Sequence, residues 1–164
     1  MQPQRDEPPL DEMPRLTSHM SALRFTLVLL SALGCGARQP APAATAESST
    51  AAAQHVAAAW LALIDAGRDQ ESWNAAASLF RTRVSAPQWR ESLRSARAPL
   101  GAVKKRQLRW AAHTTTLANA PQGDYVVIQY ATDFAGGRAI ETVVAARDTD
   151  GEWRAAGYFI RRTP

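Results

Sequence analysis

The chain has 164 residues, of which 46% are apolar and 21% are charged, and it contains five tryptophans. This balance is typical of a folded globular protein and excludes disordered and collagen-like chains. The length leaves room for one domain, and the net charge of +4 favours anionic surfaces without identifying a partner.

An apolar run at residues 22–33 is followed directly by small residues. The run is too short to span a membrane, which takes roughly 20 apolar residues. It fits a signal peptide, with Arg24 as the basic residue near its start. The segment before it is proline-rich and carries four acidic residues, so Met20 is a better candidate than Met1 for the true start.

Cys35 is the single cysteine of the chain and lies just after the apolar run. The sequence LSALGC resembles the lipobox of bacterial lipoproteins, in which the cysteine is lipidated and becomes the new N-terminus, although Ala32 and Leu33 depart from the usual residues. Alternatively, small residues at Cys35 and Ala37 suit a cut after Ala37 by the ordinary signal peptidase. An exported protein with one cysteine has no disulfide partner, which favours lipidation over a lone thiol.

We therefore divide the chain into three parts. Residues 1–37 are an N-terminal extension with a signal peptide, residues 38–50 are a flexible linker rich in Ala, Pro, Ser and Thr, and residues 51–164 are one folded domain. We expect the domain to work outside the cytoplasm. It is either a lipoprotein on the periplasmic face of a bacterial membrane or a soluble periplasmic or secreted protein; retention in the cytosol is the remaining alternative.

Two helices are predicted at the start of the domain. The first begins near Ala51 and ends at Gly67, because apolar residues recur at helical spacing, at Val56, Ala59, Trp60 and Leu63. The second opens near Asp69, a residue type that caps helix N-termini, and continues to Phe80.

A third helix is marked by its capping residues. Ser85 and Gln88 have the spacing of a capping box, and Pro87 stands in the first turn. Trp89 begins the apolar stripe of this helix, and Pro99 ends it.

After Gly101 the apolar period falls to two, which predicts strands at residues 108–116, 125–134, 139–146 and 152–160. Turns are expected at residues 121–124, at Gly136-Gly137 and at Asp150-Gly151. The predicted fold is therefore α+β, with three N-terminal helices packed on a curved four-stranded antiparallel meander, a cone-like roll.

Five segments resemble a family of short exported bacterial proteins catalogued as a domain of unknown function (number four thousand and nineteen): AAWLALIDAGRDQESWNAAASLF, VSAPQWRESLRSARAPLGAVKKRQL, GDYVVIQYATDF, IETVV and DGEWRAAGYFI. The resemblance covers nearly all of residues 51–162 and implies an exported location and this fold. The layout is also similar to the nuclear-transport-factor-2-like cone, a scaffold of isomerases, dehydratases and binding modules, and such a similarity carries little functional weight.

Glu141 is predicted to point into the apolar face of the sheet. If Gly136 and Gly137 form a two-residue turn, Glu141 lies opposite Thr132. On the last strand, a two-residue turn at Asp150-Gly151 places Ile160 opposite Glu141, and a four-residue loop places Tyr158 there; both keep the same face. A three-residue turn at the glycines would instead move Glu141 to the other face.

A carboxylate in that position has two possible roles. As a structural group, Glu141 accepts hydrogen bonds from a tyrosine and from Arg97 and so holds the strands and the third helix in register. As a catalytic group, its pKa is raised by burial into a range useful for proton transfer, with Tyr130 or Tyr158 as the partner.

Other polar residues give weaker signals. Strand parity places four polar residues on the outer face of the sheet, the face opposite the apolar one: His113, Asp133, Arg109 and Gln129. There, His113 and Asp133 form an acid–base pair if they are adjacent; otherwise both side chains are solvated. His55 has no companion at i+4, and the chain has no second cysteine, so we expect no metal site.

A basic stripe is predicted on the third helix, at Arg90, Arg94 and Arg97, with residues 104–106 soon after it. The stripe either faces anionic lipid or an envelope polymer, or is a solvated surface. The helical tryptophans at positions 60, 73 and 89 are expected in the core. The candidates for lining a binding pocket are Trp60, Trp73, Arg97 and Phe134.

No serine stands in a GxSxG setting, and no glycine-rich loop fits phosphate binding. We therefore expect a non-enzymatic envelope module that binds a small apolar ligand or a protein partner, without a cofactor and without nucleic acid. The alternative is an isomerase or dehydratase with Glu141 as general base and Tyr130 or Tyr158 as donor to a developing oxyanion.

Overall fold

The computed structural model describes residues 42–163. Within them, helices come first and strands follow: α1 (Pro42–Asp65), α2 (Asp69–Asn74), α3 (Ser78–Arg83), α4 (Ala86–Arg97), β1 (Val103–Thr114), β2 (Tyr125–Phe134), β3 (Gly137–Arg147) and β4 (Trp153–Arg162). A 3₁₀ turn at Ala98–Leu100 precedes β1. The α+β class is confirmed, whereas the predicted signal peptide, both candidate starts and Cys35 lie outside the described residues.

Helix α1 begins at Pro42, ahead of the start expected at Ala51, so most of the segment predicted as a linker is helical. Its sequence is rich in alanine, the best helix former, and proline is well suited to the first helical position. The buried face of α1 consists of Ala53, Ala57, Trp60, Leu61 and Ile64. This stripe is rotated from the predicted one, because Ala59 is exposed. In the described range, no helix has the length and apolar character needed to cross a membrane.

The second predicted helix is interrupted, so residues 42–163 contain four α-helices where three were predicted. Between α2 and α3 the backbone of Ala77 is extended, and its N–H donates to the carbonyl oxygen of Ala155 on β4 at 2.8 Å. Asp148, from the loop before β4, accepts hydrogen bonds from the backbone N–H of Ser78 at 2.8 Å and from its hydroxyl at 2.5 Å. These long-range contacts stop one helix and start the next, and periodicity alone does not reveal them.

Helix α4 has the predicted capping box. The side chain of Ser85 accepts from the backbone N–H of Gln88, and the side chain of Gln88 accepts from the backbone N–H of Ser85 at 2.9 Å. Trp89 and Leu93 form the buried face. The cap satisfies two N–H groups that the helix itself leaves unpaired.

The four strands form one open antiparallel sheet in the order β1-β2-β3-β4. The β2–β3 turn consists of Ala135 and Gly136, one residue earlier than predicted. Glu141 therefore lies opposite Tyr130 rather than Thr132 on β2, and opposite Ile160 on β4, one of the two partners considered for that strand. A register change of two residues keeps the same face, so Glu141 still points toward the helices.

Strand β1 departs from the predicted alternation. Its register shifts between Leu108 and Trp110, so Trp110 lies opposite Gln129, and His113 lies opposite Val126. This bulge reverses the facing of the second half of the strand. The prediction that His113 shares the outer face with Asp133 was wrong for this reason.

The helices pack on one face of the sheet, here called the inner face. The main core joins α1, α2, α3 and α4 to the inner residues of the strands, including Val126, Ile128, Tyr130, Val143 and Ala155. A smaller cluster of Leu100, Phe134 and Ala139 lies beside it. The opposite surface of the sheet is the outer face.

Candidate functional site

Glu141 is fully buried, with 0% of its surface exposed, between the sheet and the helices. Its carboxylate accepts hydrogen bonds from the hydroxyls of Tyr158 at 2.6 Å and Thr132 at 2.5 Å. The guanidinium of Arg106 on β1 donates through Nε at 2.8 Å and through Nη2 at 3.3 Å. The side chain is therefore held from β1, β2 and β4 at once.

A second carboxylate, Asp65 at the end of α1, completes the arrangement. Arg97 donates to it at 2.5 Å, and Arg106 donates at 2.7 and 3.0 Å. Arg97 Nη1 is 3.8 Å from Glu141 Oε1, and its guanidinium lies 5.4 Å from the centre of the Phe134 ring. We call this group the buried ion cluster after its fully buried centre, Glu141, whereas Asp65 lies at its edge with 25% of its side chain exposed. Its members are Asp65, Arg97, Arg106, Thr132, Glu141 and Tyr158.

The protonation states in the cluster follow from burial and charge. Burial raises the pKa of Asp65, but hydrogen bonds from Arg106 and Arg97 outweigh this and hold the pKa below its ordinary value of 3.8. Burial, reinforced by the charge of Glu141, raises the pKa of Tyr158 well above its usual range. Asp65 is therefore ionised at neutral pH, and Tyr158 keeps its proton and donates it in a hydrogen bond.

The cluster carries two negative and two positive side chains, and both oxygens of Glu141 already accept hydrogen bonds. A general base needs a free lone pair and a reachable substrate. Tyr158 donates the hydrogen bond to Glu141 that was predicted for a tyrosine, whereas Tyr130 lies opposite Glu141 on the neighbouring strand β2. This geometry favours the structural role of Glu141 over proton transfer.

The residues predicted to bind a ligand do not meet at one open surface. Trp60 is buried, stacks on Trp89 with ring centres 5.4 Å apart, and donates from Nε1 to the carbonyl oxygen of Ser72 at 2.7 Å. Trp73 donates in the same way to a backbone carbonyl, that of residue 84, at 2.7 Å. Phe134 is buried in the smaller core, and Arg97 belongs to the buried ion cluster.

The predicted polar pairs are also rearranged. The imidazole of His113 lies 3.2 Å from the carboxylate of Asp124, whereas Asp133 pairs with Arg138 at 2.8 Å. In the basic stripe, Arg94 pairs with Glu91 on its own helix at 2.8 Å. Among residues 42–163, no group of three or more His, Cys, Asp or Glu side chains is placed to hold a metal ion.

The outer face of the sheet carries exposed aromatic residues. The register aligns one row of residues across all four strands, Trp110, Gln129, Thr142 and Phe159. Trp110 is 44% exposed and Phe159 is 65% exposed. Large aromatic side chains this open on a domain surface mark a candidate contact surface.

An apolar groove of about 430 Å³ lies at one end of the outer face. Its apolar lining includes Leu79, Leu117, Tyr125, Val144 and Phe159. The loop after β1 forms one wall, held by a hydrogen bond from Arg83 Nη1 to the carbonyl oxygen of Asn119 at 3.0 Å. A second cleft of about 400 Å³ with a mixed polar and apolar lining lies elsewhere, beside Asp65, Arg94 and Arg97.

Sequence reasoning missed Arg106 as a partner of Glu141, although a signal was present. Arg106 has the same strand parity as Leu108, which was expected on the apolar face, so alternation also turns Arg106 inward. The apolar groove had no such signal, because the loop at residues 117–120 approaches β4 only in the folded chain.

Comparison with known proteins gives one match. No curated protein and no solved structure is significantly similar to the chain. A family model described as "Protein of unknown function (DUF4019)" matches residues 56–158, which include every member of the buried ion cluster. Because the match covers more than half of the chain, the protein belongs to this family.

Proposed function

We propose that the protein is an exported cell-envelope component whose domain is a non-enzymatic module that binds a small apolar ligand in the apolar groove. The observation that carries the proposal is the contrast between the two candidate sites. The groove is open and lined by apolar side chains, whereas Glu141 is 0% exposed and fully hydrogen-bonded. The isomerase or dehydratase alternative needs substrate access to Glu141 and draws no support from this geometry.

The dimensions of the groove suit a small ligand. Its volume of about 430 Å³ falls within the usual range of ligand sites, roughly 300–1,000 Å³. Arg83 lies among its lining residues, so an apolar ligand with an acidic end would place that end beside a positive charge.

The exported location rests on the signal peptide and on Cys35. It is tested by the intact mass of the protein recovered from the envelope of the producing bacterium. A mass that begins at Cys35 and includes a lipid supports a tethered form, and a mass that begins at Arg38 supports a released form. An uncleaved chain in the cytosol would contradict export, and extra mass that dissociates on denaturation would reveal a retained ligand.

Ligand binding is tested with the fluorescent probe anilinonaphthalene sulfonate, which is apolar and carries one acidic group. We expect saturable binding that Ala118→Phe weakens at least tenfold, because residue 118 lines the groove and a phenyl ring fills it. The matched control is Ala59→Phe on the exposed side of α1. Equal binding by both variants, at unchanged melting temperatures, would contradict a ligand site in the groove.

A further inference from the structure

The outer face combines exposed aromatic residues with unpaired positive charge. Trp110 and Phe159 lie at the two ends of one row of residues across the sheet, on the edge strands β1 and β4. Adjacent strands are about 4.8 Å apart, so the two residues are separated by about 14 Å across the sheet. Because Val144 and Ile140 are only partly buried between these edges, the surface between the aromatic rings is also partly apolar.

Basic residues surround this apolar part. Lys105 lies opposite Asp133, and Arg161 lies opposite Ile140, so both share the outer face. The carboxylate of Asp133 is already paired with Arg138. Within the part of the chain that the structure describes, neither Lys105 nor Arg161 forms an ion pair. The outer face therefore carries an excess of positive charge.

We propose that the outer face docks onto a bilayer that contains anionic phospholipid. Trp110 and Phe159 enter the interfacial region of the bilayer, and Lys105 and Arg161 contact headgroup phosphates. Aromatic side chains favour that region, and basic residues close to an anionic surface are attracted to it. The proposal rests on the exported location proposed above.

The α4 stripe is a poorer candidate for the same contact. Arg97 is held by Asp65, and Arg94 pairs with Glu91, so part of its charge is already compensated. Arg106, which the sequence placed in the same basic patch, belongs to the buried ion cluster. Of the three stripe arginines, only Arg90 is without an ion pair among the described residues, so α4 offers less uncompensated charge than the outer face.

The test uses the Cys35→Ala chain, which cannot be lipidated and which gains an Ala-x-Ala cleavage site, so that it is released without an anchor. Sedimentation is measured with vesicles of phosphatidylcholine alone and with vesicles that also contain phosphatidylglycerol. We expect binding to the second kind only, weakening as salt is added. Lys105→Glu with Arg161→Glu should lower the partition coefficient by about tenfold or more, since each basic residue near such a surface contributes about fivefold.

The matched control reverses two charges on α4, Arg90→Glu with Arg94→Glu. Its partition coefficient should stay within about twofold of that of the Cys35→Ala chain, because this variant changes the net charge by the same amount without altering the outer face. Trp110→Ala should weaken binding without removing charge, and residue 110 does not line the apolar groove. Equal losses in the two charge-reversal variants would overturn the proposal. So would the absence of vesicle binding together with a dimer that Trp110→Ala dissociates, because the face would then bind a second copy. Failure of export would instead appear as Cys35→Ala chain retained in the cytosol.

Discussion

Glu141 and Glu91 are both glutamates paired with arginine, but only Glu141 is sealed from solvent. Replacing Glu141 by Gln removes the charge that balances Arg106 and leaves a buried guanidinium short of its counterion. We expect Glu141→Gln to lower the free energy of unfolding by about 3 kcal/mol, the usual cost of breaking a buried pair. Urea unfolding measures the change.

The control is Glu91→Gln, which breaks an exposed pair on α4 and should change stability by less than about 0.5 kcal/mol. A Glu141→Gln variant that is as stable as the wild type, or more stable, would contradict the structural role. It would indicate that the carboxylate is kept for a function that costs stability.

Tyr158 contributes one neutral hydroxyl to the same carboxylate. Tyr158→Phe removes that hydrogen bond while keeping the ring, which packs edge-on against Trp60 and Trp89. We expect a loss of about 1 kcal/mol, and a smaller loss when Glu141→Gln is already present, because the two groups interact directly. Strictly additive losses in a double-mutant cycle would show that the hydrogen bond is not coupled to the charge.

At the scale of elements, the β2–β3 turn is joined to the 3₁₀ turn before β1. The N–H of Gly136 donates to the carbonyl oxygen of Leu100 at 2.7 Å, and a Cβ at position 136 would lie 2.9 Å from the carbonyl oxygen of Pro99. Gly136→Ala should therefore destabilise the domain by about 1–3 kcal/mol, since backbone atoms yield little. Gly123→Ala is the control, because its Cβ would lie no closer than 3.5 Å to any neighbour. Equal melting temperatures for the two variants would contradict this close approach.

The elements also show which features the sequence predicts. The capping box of α4 and strand β2 follow from local patterns and are confirmed. The bulge in β1 and the break between α2 and α3 depend on partners far along the chain, such as Ala155 and Asp148. Their energy comes from tertiary contacts, which a single sequence does not display.

In the candidate site, too, local patterns predict some features, and contacts between distant parts of the chain decide the others. Burial of Glu141 followed from strand parity, which is kept when the register changes by two residues and is reversed when it changes by one. Its principal partner, Arg106, and the second carboxylate, Asp65, came together only when β1 and the end of α1 met in space. The outward position of Trp110 was not predicted, because the bulge reverses the parity of β1 at this residue.

At the scale of the whole molecule, the buried ion cluster ties α1 and α4 to all four strands, so its ionisation should influence global unfolding. The pKa of Asp65 is held below 3.8 in the folded protein, so the folded state binds this proton less readily than the unfolded state. The stabilisation that Asp65 provides is therefore complete above that ordinary value and is lost as the pH falls through the lowered folded value.

The prediction concerns the stability difference between the wild type and Asp65→Asn, measured by urea unfolding across acidic pH. We expect a clear loss of stability in the variant near pH 6 and a difference that narrows steadily below about pH 4, because a protonated Asp65 resembles the amide. Asp133→Asn, which breaks the exposed pair with Arg138, should show a small difference throughout. A wild-type advantage over Asp65→Asn that persists undiminished into strong acid would mean that the arginines are held by shape and hydrogen bonding rather than by the charge of Asp65.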